Sequence, residues 1–173
     1  FASDPDSSVL SEPASYASVV AVASVDNSLR HNGFRAAGKD IAYQRARGAN
    51  GEKVAEIAEL AAGSYEYVDA GFATEEDAAA LTAKYPDGLA GKFALVSRGK
   101  LTFQKKIENL AALKPAGILV YNNVAGDSLM LMSVTTLDVP AAFISQENGQ
   151  AMLAAADHHL TLVDGKTITP NSN

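Results

Sequence analysis

Lys92-Phe93-Ala94-Leu95-Val96-Ser97-Arg98-Gly99, followed two residues later by Thr102-Phe103-Gln104-Lys105-Lys106-Ile107, decides the reading of this chain. Phe93 to Ser97 is a short apolar run of strand length. Arg98-Gly99-Lys100 is a turn whose glycine lets the chain reverse. Thr102 stands where a hydroxyl caps the next helix. In that helix Phe103, Ile107, Leu110 and Ala111 fall at i, i+4, i+7 and i+8 and make one apolar stripe. Lys105, Lys106, Glu108 and Asn109 are expected to face away, so the stripe predicts a helix lying on a sheet.

Downstream, Gly117 to Tyr121 reads as a fully buried strand and Val139 to Ile144 as another. Ser145 caps a last helix running through Met152 and Leu153. A final hairpin is expected from His159 to Val163 and from Lys166 to Thr169, turning at Asp164-Gly165. Upstream, Tyr65 to Val68 is a strand. Thr74 then caps a helix in which Glu75, Glu76 and Asp77 favour the positive end of the dipole and which stops near Tyr85, before Pro86. Between Val54 and Ala61 both a helix and a strand fit the pattern. Residues 31–52, rich in glycine and asparagine, predict loops around a short strand at Ile41 to Gln44. Val19 to Val25 is a β-branched run that reads as a buried strand after a Ser-rich entry. The alternation of strands and helices defines an α/β class with at least partly parallel strands, and no internal repeat appears.

Composition narrows the function classes. The chain has 173 residues, 47% hydrophobic and 20% charged, enough for one core and too apolar for disorder. Its net charge of −6 and scattered basic residues disfavour nucleic acid as a partner. No apolar run reaches the roughly 18 residues needed to cross a bilayer, so no membrane insertion by this chain is expected. The absence of cysteine removes disulfides and thiolate sites. Phe1-Ala2-Ser3-Asp4-Pro5 has no signal-peptide pattern, and the two ends read as cuts through connecting segments of a longer parent.

The two quoted stretches, a strand ending in Arg-Gly and then an aromatic and a Lys opening a helix, resemble the signature of the protease-associated (PA) domain family. Ala116-Gly117-Ile118-Leu119-Val120-Tyr121-Asn122-Asn123 resembles that family's second strand with its terminal Asn. Val139-Pro140-Ala141-Ala142-Phe143-Ile144-Ser145 with Gly149 resembles its third segment. Leu113-Lys114-Pro115-Ala116-Gly117 departs from the usual Ala-Gly-Ala step, and Pro115 breaks the helix there. Glu12-Pro13-Ala14-Ser15-Tyr16 with Val19 to Asn27 is similar to the subtilisin-family segment after the oxyanion-hole Asn.

Together the resemblances imply an α/β PA fold with a mixed, partly barrel-like sheet. The implied divisions are a subtilase-like flanking segment over 1–30, a PA domain over 31–165 with its core at 65–156, and a connecting segment over 166–173. The implied function is that of a non-catalytic domain inserted into an extracellular or cell-wall-attached subtilase of the lactocepin and C5a-peptidase type. Its partners would be polypeptide substrates and the parent's own catalytic domain, and its role the admission and selection of large polypeptides. A free-standing sorting or adhesion module is the rival from another class.

No motif calls for a catalytic residue, a metal or a cofactor. Ser-His-Asp chemistry needs a nucleophile, a base and an oxyanion hole, and the Gly-Thr-Ser-type turn of a subtilase is absent. His31, His158 and His159 read as solvated or structural, and the adjacent pair on a strand would point to opposite faces. Gly165-Lys166-Thr167 lacks the upstream glycine of a phosphate loop. Asp4 and Asp6 supply too few oxygens for calcium. Two groups are candidates for peptide binding. Arg98, with Lys100 beside it, can hold a carboxylate bidentately or brace a neighbouring loop. Tyr121, Asn122 and Asn123 end a strand where α/β sheets place ligands, and they serve equally as turn formers.

Overall fold

The computed structural model describes residues 31–126, 128–162 and 167–168. The expected strand at Val19 to Val25, the segments over 1–30 and 169–173, Asp4, Asp6 and most of Gly165-Lys166-Thr167 lie outside the described residues. Asn32–Ile168 forms one compact unit.

The chain opens with β1 (His31–Ala36) and β2 (Lys39–Arg45), paired antiparallel with Phe34 opposite Ile41. Ala37 and Gly38 join them with φ of 52° and 75°, the left-handed pair that two-residue hairpin turns use. Loop-rich structure was expected here, and the finding is a hairpin. Asn32 and Gly33 are ladder residues rather than turn formers, and the alternation of Phe34, Ala36, Ile41 and Tyr43 supplies the buried face. After β3 (Arg47–Gly48), neither pattern expected over Val54 to Ala61 is fulfilled. The segment carries a single 3-10 turn, Ile57–Glu59, with Val54 and Ile57 buried.

The remaining elements are β4 (Gly63–Asp69), α1 (Glu75–Lys84), β5 (Lys92–Ser97), α2 (Phe103–Ala111), β6 (Gly117–Tyr121), β7 (Ser133–Val134), β8 (Ala141–Ile144), α3 (Gln146–Ala154), β9 (His159–Leu162) and β10 (Thr167–Ile168). β4, β5, β6 and β8 run parallel, each beside the next, and α1 and α2 are the crossovers that parallel neighbours require. The sheet order is β10-β1-β2-β8-β6-β5-β4-β9, and β9 also pairs with β1 through Arg35 and Ala36, which closes seven strands into a barrel. The expected terminal hairpin is not formed. The edges of β9 are taken by β4 and β1, and β10 neighbours β1 instead. β3 and β7 make a separate two-stranded parallel ladder.

The core has two parts divided by the sheet. Phe34, Ile41, Tyr43, Tyr67, Phe93, Leu95, Leu119, Ile144 and Leu160 come from all the barrel strands and fill its inside, with Met152 of α3. Val68, Ala94, Val96, Ile118, Val120 and Phe143 point the other way, onto Leu81 of α1 and Ile107 and Leu110 of α2. The central strands are therefore buried on both faces, and this is why they read as unbroken apolar runs rather than alternating ones. The cap on each helix is the predicted one. Thr74, Thr102 and Ser145 accept from the amides of Asp77, Lys105 and Asn148.

One part of the α2 expectation is overturned. Lys106 is fully buried, and Asn109 is half-buried rather than turned to solvent. Position 106 lies at i+3 from Phe103 and i−4 from Leu110, so it belongs to the apolar stripe by geometry whatever its charge. Its aliphatic stem fills that place, and its ammonium reaches past the core.

Candidate functional site

At the C-terminal ends of the parallel strands, three turns meet: Ala70 to Thr74 after β4, Arg98 to Thr102 after β5, and the segment from Asn122 after β6. Pairing of Ser97 with Tyr121 and of Tyr121 with Ile144 keeps these strand ends level. The Arg98 amide continues the ladder by donating to the Tyr121 carbonyl at 2.9 Å, and the Asn122 amide does so to Ile144 at 3.1 Å. Arg98, Tyr121, Asn122 and Asn123 therefore lie at level strand ends on one rim, and Lys100 joins it from the turn after β5.

Asn122 is buried, with 4% exposure, and its Oδ1 accepts from Arg98 Nη1 at 3.0 Å and from the Val124 amide at 3.3 Å. The bonds seen are those of the structural alternatives in the sequence reading, a turn former and a brace. Asn122 shapes its own turn, and Arg98 braces it. The bond engages one guanidinium nitrogen, and among the described residues no carboxylate pairs with Arg98. Asn123 is exposed beside Gly99. Gly99 has φ of 110°, outside the reach of ordinary side chains. A Cβ there would sit 3.4 Å from the Asn123 amide and 3.8 Å from the Phe72 ring. Tyr121 is half-buried against α3, where Gly149 provides the space.

Lys100 is exposed, holds a positive φ of 64°, and places its Nζ 4.3 Å from the centroid of Phe72, a cation–π distance. Phe72 is the residue that the sequence reading missed, and a small network holds it. Its amide donates to Asp77 Oδ2 at 3.0 Å, its carbonyl accepts from Lys106 Nζ at 2.6 Å, and the next carbonyl, Ala73, accepts from Asn109 Nδ2 at 2.9 Å. Burial drives the Lys106 ammonium down to about 8, with the Asp77 charge opposing and the Lys100 charge adding to the effect. Burial raises Asp77, but the amide and hydroxyl of Thr74, the Phe72 amide and the Lys100 charge outweigh it, and the carboxyl lies below its ordinary range. The spacing of Thr74 and Asp77, a reciprocal cap, was the available signal that this turn is built. Phe72 itself gave none.

His158 and His159 are not brought to this rim. His158 stacks on Tyr67 at 4.9 Å between centroids, and His159 is exposed beside Asp157. Glu75 and Glu76 lie in the first turn of α1, as its dipole favours. Among the described residues no group of three or more His, Asp or Glu is placed to hold a metal, and no helix is long and apolar enough to cross a membrane. The rim can do three things chemically: offer cations to a carboxylate, offer amides to a peptide main chain, and present an aromatic face.

Residues 56–152, more than half of the chain, match the PA domain family, and the chain belongs to it. A probable leucine aminopeptidase 2 of Aspergillus fumigatus is 36% identical over 93 residues, 51% of this chain and 17% of that protein. The minor extracellular protease Vpr of Bacillus subtilis is 34% identical over 67 residues, 39% of this chain and 8% of that protein. Among solved structures, BSAP, a zinc aminopeptidase from Bacillus subtilis, superposes with a TM-score of 0.58 over 81% of this chain and 34% of its own, at 24% identity, a likeness of fold. The chain thus spans less than a fifth of the length of these two curated relatives. It is a PA domain with relatives among peptidases of more than one kind.

Proposed function

We propose that this PA domain is a non-catalytic part of a secreted peptidase, and that the rim of Arg98, Lys100, Tyr121, Asn122 and Asn123 helps to admit and select large polypeptide substrates. One observation carries the reading: the same module recurs as a minor fraction of an aminopeptidase and of an extracellular protease. A module shared by enzymes named for different activities contributes something other than the bond-breaking chemistry. Arg98, a cation without a carboxylate partner among the described residues, and Lys100, exposed over the Phe72 ring, suit the carboxylates and main-chain carbonyls of a polypeptide.

The finer reading is a subtilisin-like parent of the lactocepin and C5a-peptidase type, secreted or attached to the cell wall, with the parent's catalytic domain as the rim's neighbour. Its support is the resemblance over Glu12 to Asn27 and the likeness to Vpr. An aminopeptidase parent is the second reading, favoured by the longer match of 93 residues. The coding sequence on either side separates the two, since a Gly-Thr-Ser turn downstream belongs to the first alone. Deleting residues 32–168 from the parent tests the function. Cleavage of a folded protein substrate should change in rate or in sites, while turnover of a small chromogenic peptide persists. Equal cleavage of every protein substrate would remove the proposal and favour a sorting or adhesion module.

A further inference from the structure

β4 is only partly covered on the side of β9. β9 pairs with Gly63 to Glu66, and the last bond on that side is the Tyr67 amide donating to the His158 carbonyl at 2.9 Å. On the other side β4 stays paired to β5 as far as Asp69, and the Ala70 amide donates to Leu95 at 2.8 Å. Residues along a strand direct their main-chain groups to alternate sides. The carbonyl of Tyr67 and both main-chain groups of Asp69 therefore face away from β5, and no described residue bonds to them. Unpaired strand groups of this kind are a template for another strand.

This free edge is a wall of a cleft of about 560 Å³ whose opposite wall is α1, with Ala80, Leu81 and Tyr85 as its apolar part. His158, stacked on Tyr67, ends the β9 side and keeps the cleft from being filled by the barrel's own strand. Charge in the cleft is unequal. Glu66, Asp69 and Asp77 line it against the single ammonium of Lys84 in the last turn of α1. Glu66 is paired to Lys92 at 3.0 Å. Asp69 accepts from the Gly71 amide through Oδ1 at 2.9 Å and keeps its second oxygen. Asp77 is already held by the Phe72 and Thr74 amides and by the charges of Lys100 and Lys106, so the cleft carboxylate without a cation partner among the described residues is Asp69, at the open end of the strand.

We propose that the β4 edge from Tyr67 to Gly71 takes an extended polypeptide segment carrying a lysine or arginine, added as a further strand. Its main chain bonds to Tyr67 and Asp69, and its basic side chain lies against Asp69. Main-chain pairing supplies the general affinity of such strand addition, and the side-chain position supplies the selection. The site adjoins the Arg98 rim through the turn from Ala70 to Thr74 but uses a carboxylate where the rim offers cations, and it does not depend on the peptidase reading.

The test is a titration of the isotopically labelled 173-residue chain, followed by amide shifts. The probe is a capped pentapeptide of alternating threonine and valine with a central arginine. The amides of Asp69, Ala70 and Gly71 should shift saturably. A probe N-methylated on its pairing residues should shift none of them, and glutamate in place of the arginine should weaken binding about fivefold. Asp69→Asn, which keeps an acceptor for the Gly71 amide, should weaken the arginine probe about threefold. Absence of saturable shifts, or equal binding by the N-methylated probe, would overturn the proposal. Shifts of the same amides with protein concentration alone would overturn it too, by making a second copy of this chain the occupant.

Discussion

Lys106 donates from its buried ammonium to the carbonyl of Phe72 at 2.6 Å, which ties the middle of α2 to the turn after β4. The group lies on the face of the helix that also carries Ile107 and Leu110, so its charge is held at a cost that shows as a depressed titration point of about 8. Between that value and the ordinary one of 10.5, the folded protein has released the proton while the unfolded chain keeps it. The unfolded state then binds more protons, and stability rises with pH across this window, at a limiting slope of about 1.4 kcal/mol per pH unit. Tyr43 works in the opposite sense. Burial, aided by Glu56 and opposed by Arg45, raises its phenol from 10.0 to about 12, so its contribution is lost as pH rises above 10. Urea unfolding at several pH values from 7.5 to about 9.5 therefore isolates Lys106. The wild type should gain stability over this range and Lys106→Met should not. Parallel profiles would refute the assignment.

Gly149→Ala is expected to disturb the rim from behind. A Cβ at position 149 would fall 2.2 Å from the Cβ of Tyr121, so α3 must move off the end of β6. Overpacking of this kind costs about 3 kcal/mol. Thermal unfolding measures the loss, and the ring signals of Tyr121 should shift with it. An unchanged melting temperature would mean that α3 sits further from β6 than described.

Asn122→Ala removes the acceptor shared by Arg98 and the amide of Val124. Leaving a buried amide unpaired should cost about 1–2 kcal/mol. Asn122→Asp keeps the acceptor, adds a charge-assisted bond to Arg98 and should restore stability. Chemical unfolding of both variants distinguishes a brace from a contact without consequence, which would leave all three proteins alike.

Arg98→Ala and Lys100→Ala together should lower kcat/KM of the intact parent for a protein substrate by about tenfold, if each cation contributes one charge-assisted contact. Cleavage of a short chromogenic peptide should be unchanged. Loss of both activities in equal measure would point to misfolding, which circular dichroism of the variant domain would reveal, and otherwise to a role outside substrate admission.

The parallel half of the fold was legible because its determinants are local. Strands buried on both faces leave apolar runs such as Phe93 to Val96, and each helix begins at a hydroxyl cap. The antiparallel half was less so. The β1–β2 turn is Ala37-Gly38, a pair without the asparagine or aspartate that usually marks such a turn. The pairing of β9 with β1 is set by barrel closure, a relationship between residues more than a hundred apart that no turn sequence encodes. At the rim, Arg98, Asn122 and Asn123 could be read from residue type and strand end. Phe72 and Lys106 could not, because each contradicts the expectation for its type: an aromatic left half-buried in a turn and an ammonium drawn into the core.

The placement of β10 beside β1 has a thermodynamic meaning for whatever polypeptide continues from them. Neighbouring strands lie about 5 Å apart, so the first strand of the barrel and β10 run one strand spacing from each other. A host joined through these two strands experiences the folded module as a tight loop and the unfolded module as slack of well over a hundred residues. By the logarithmic law of loop closure the difference is about 3 kcal/mol. Melting the barrel would therefore loosen any host joined in this way, and a ligand that tightens the barrel would stabilise such a host without touching it.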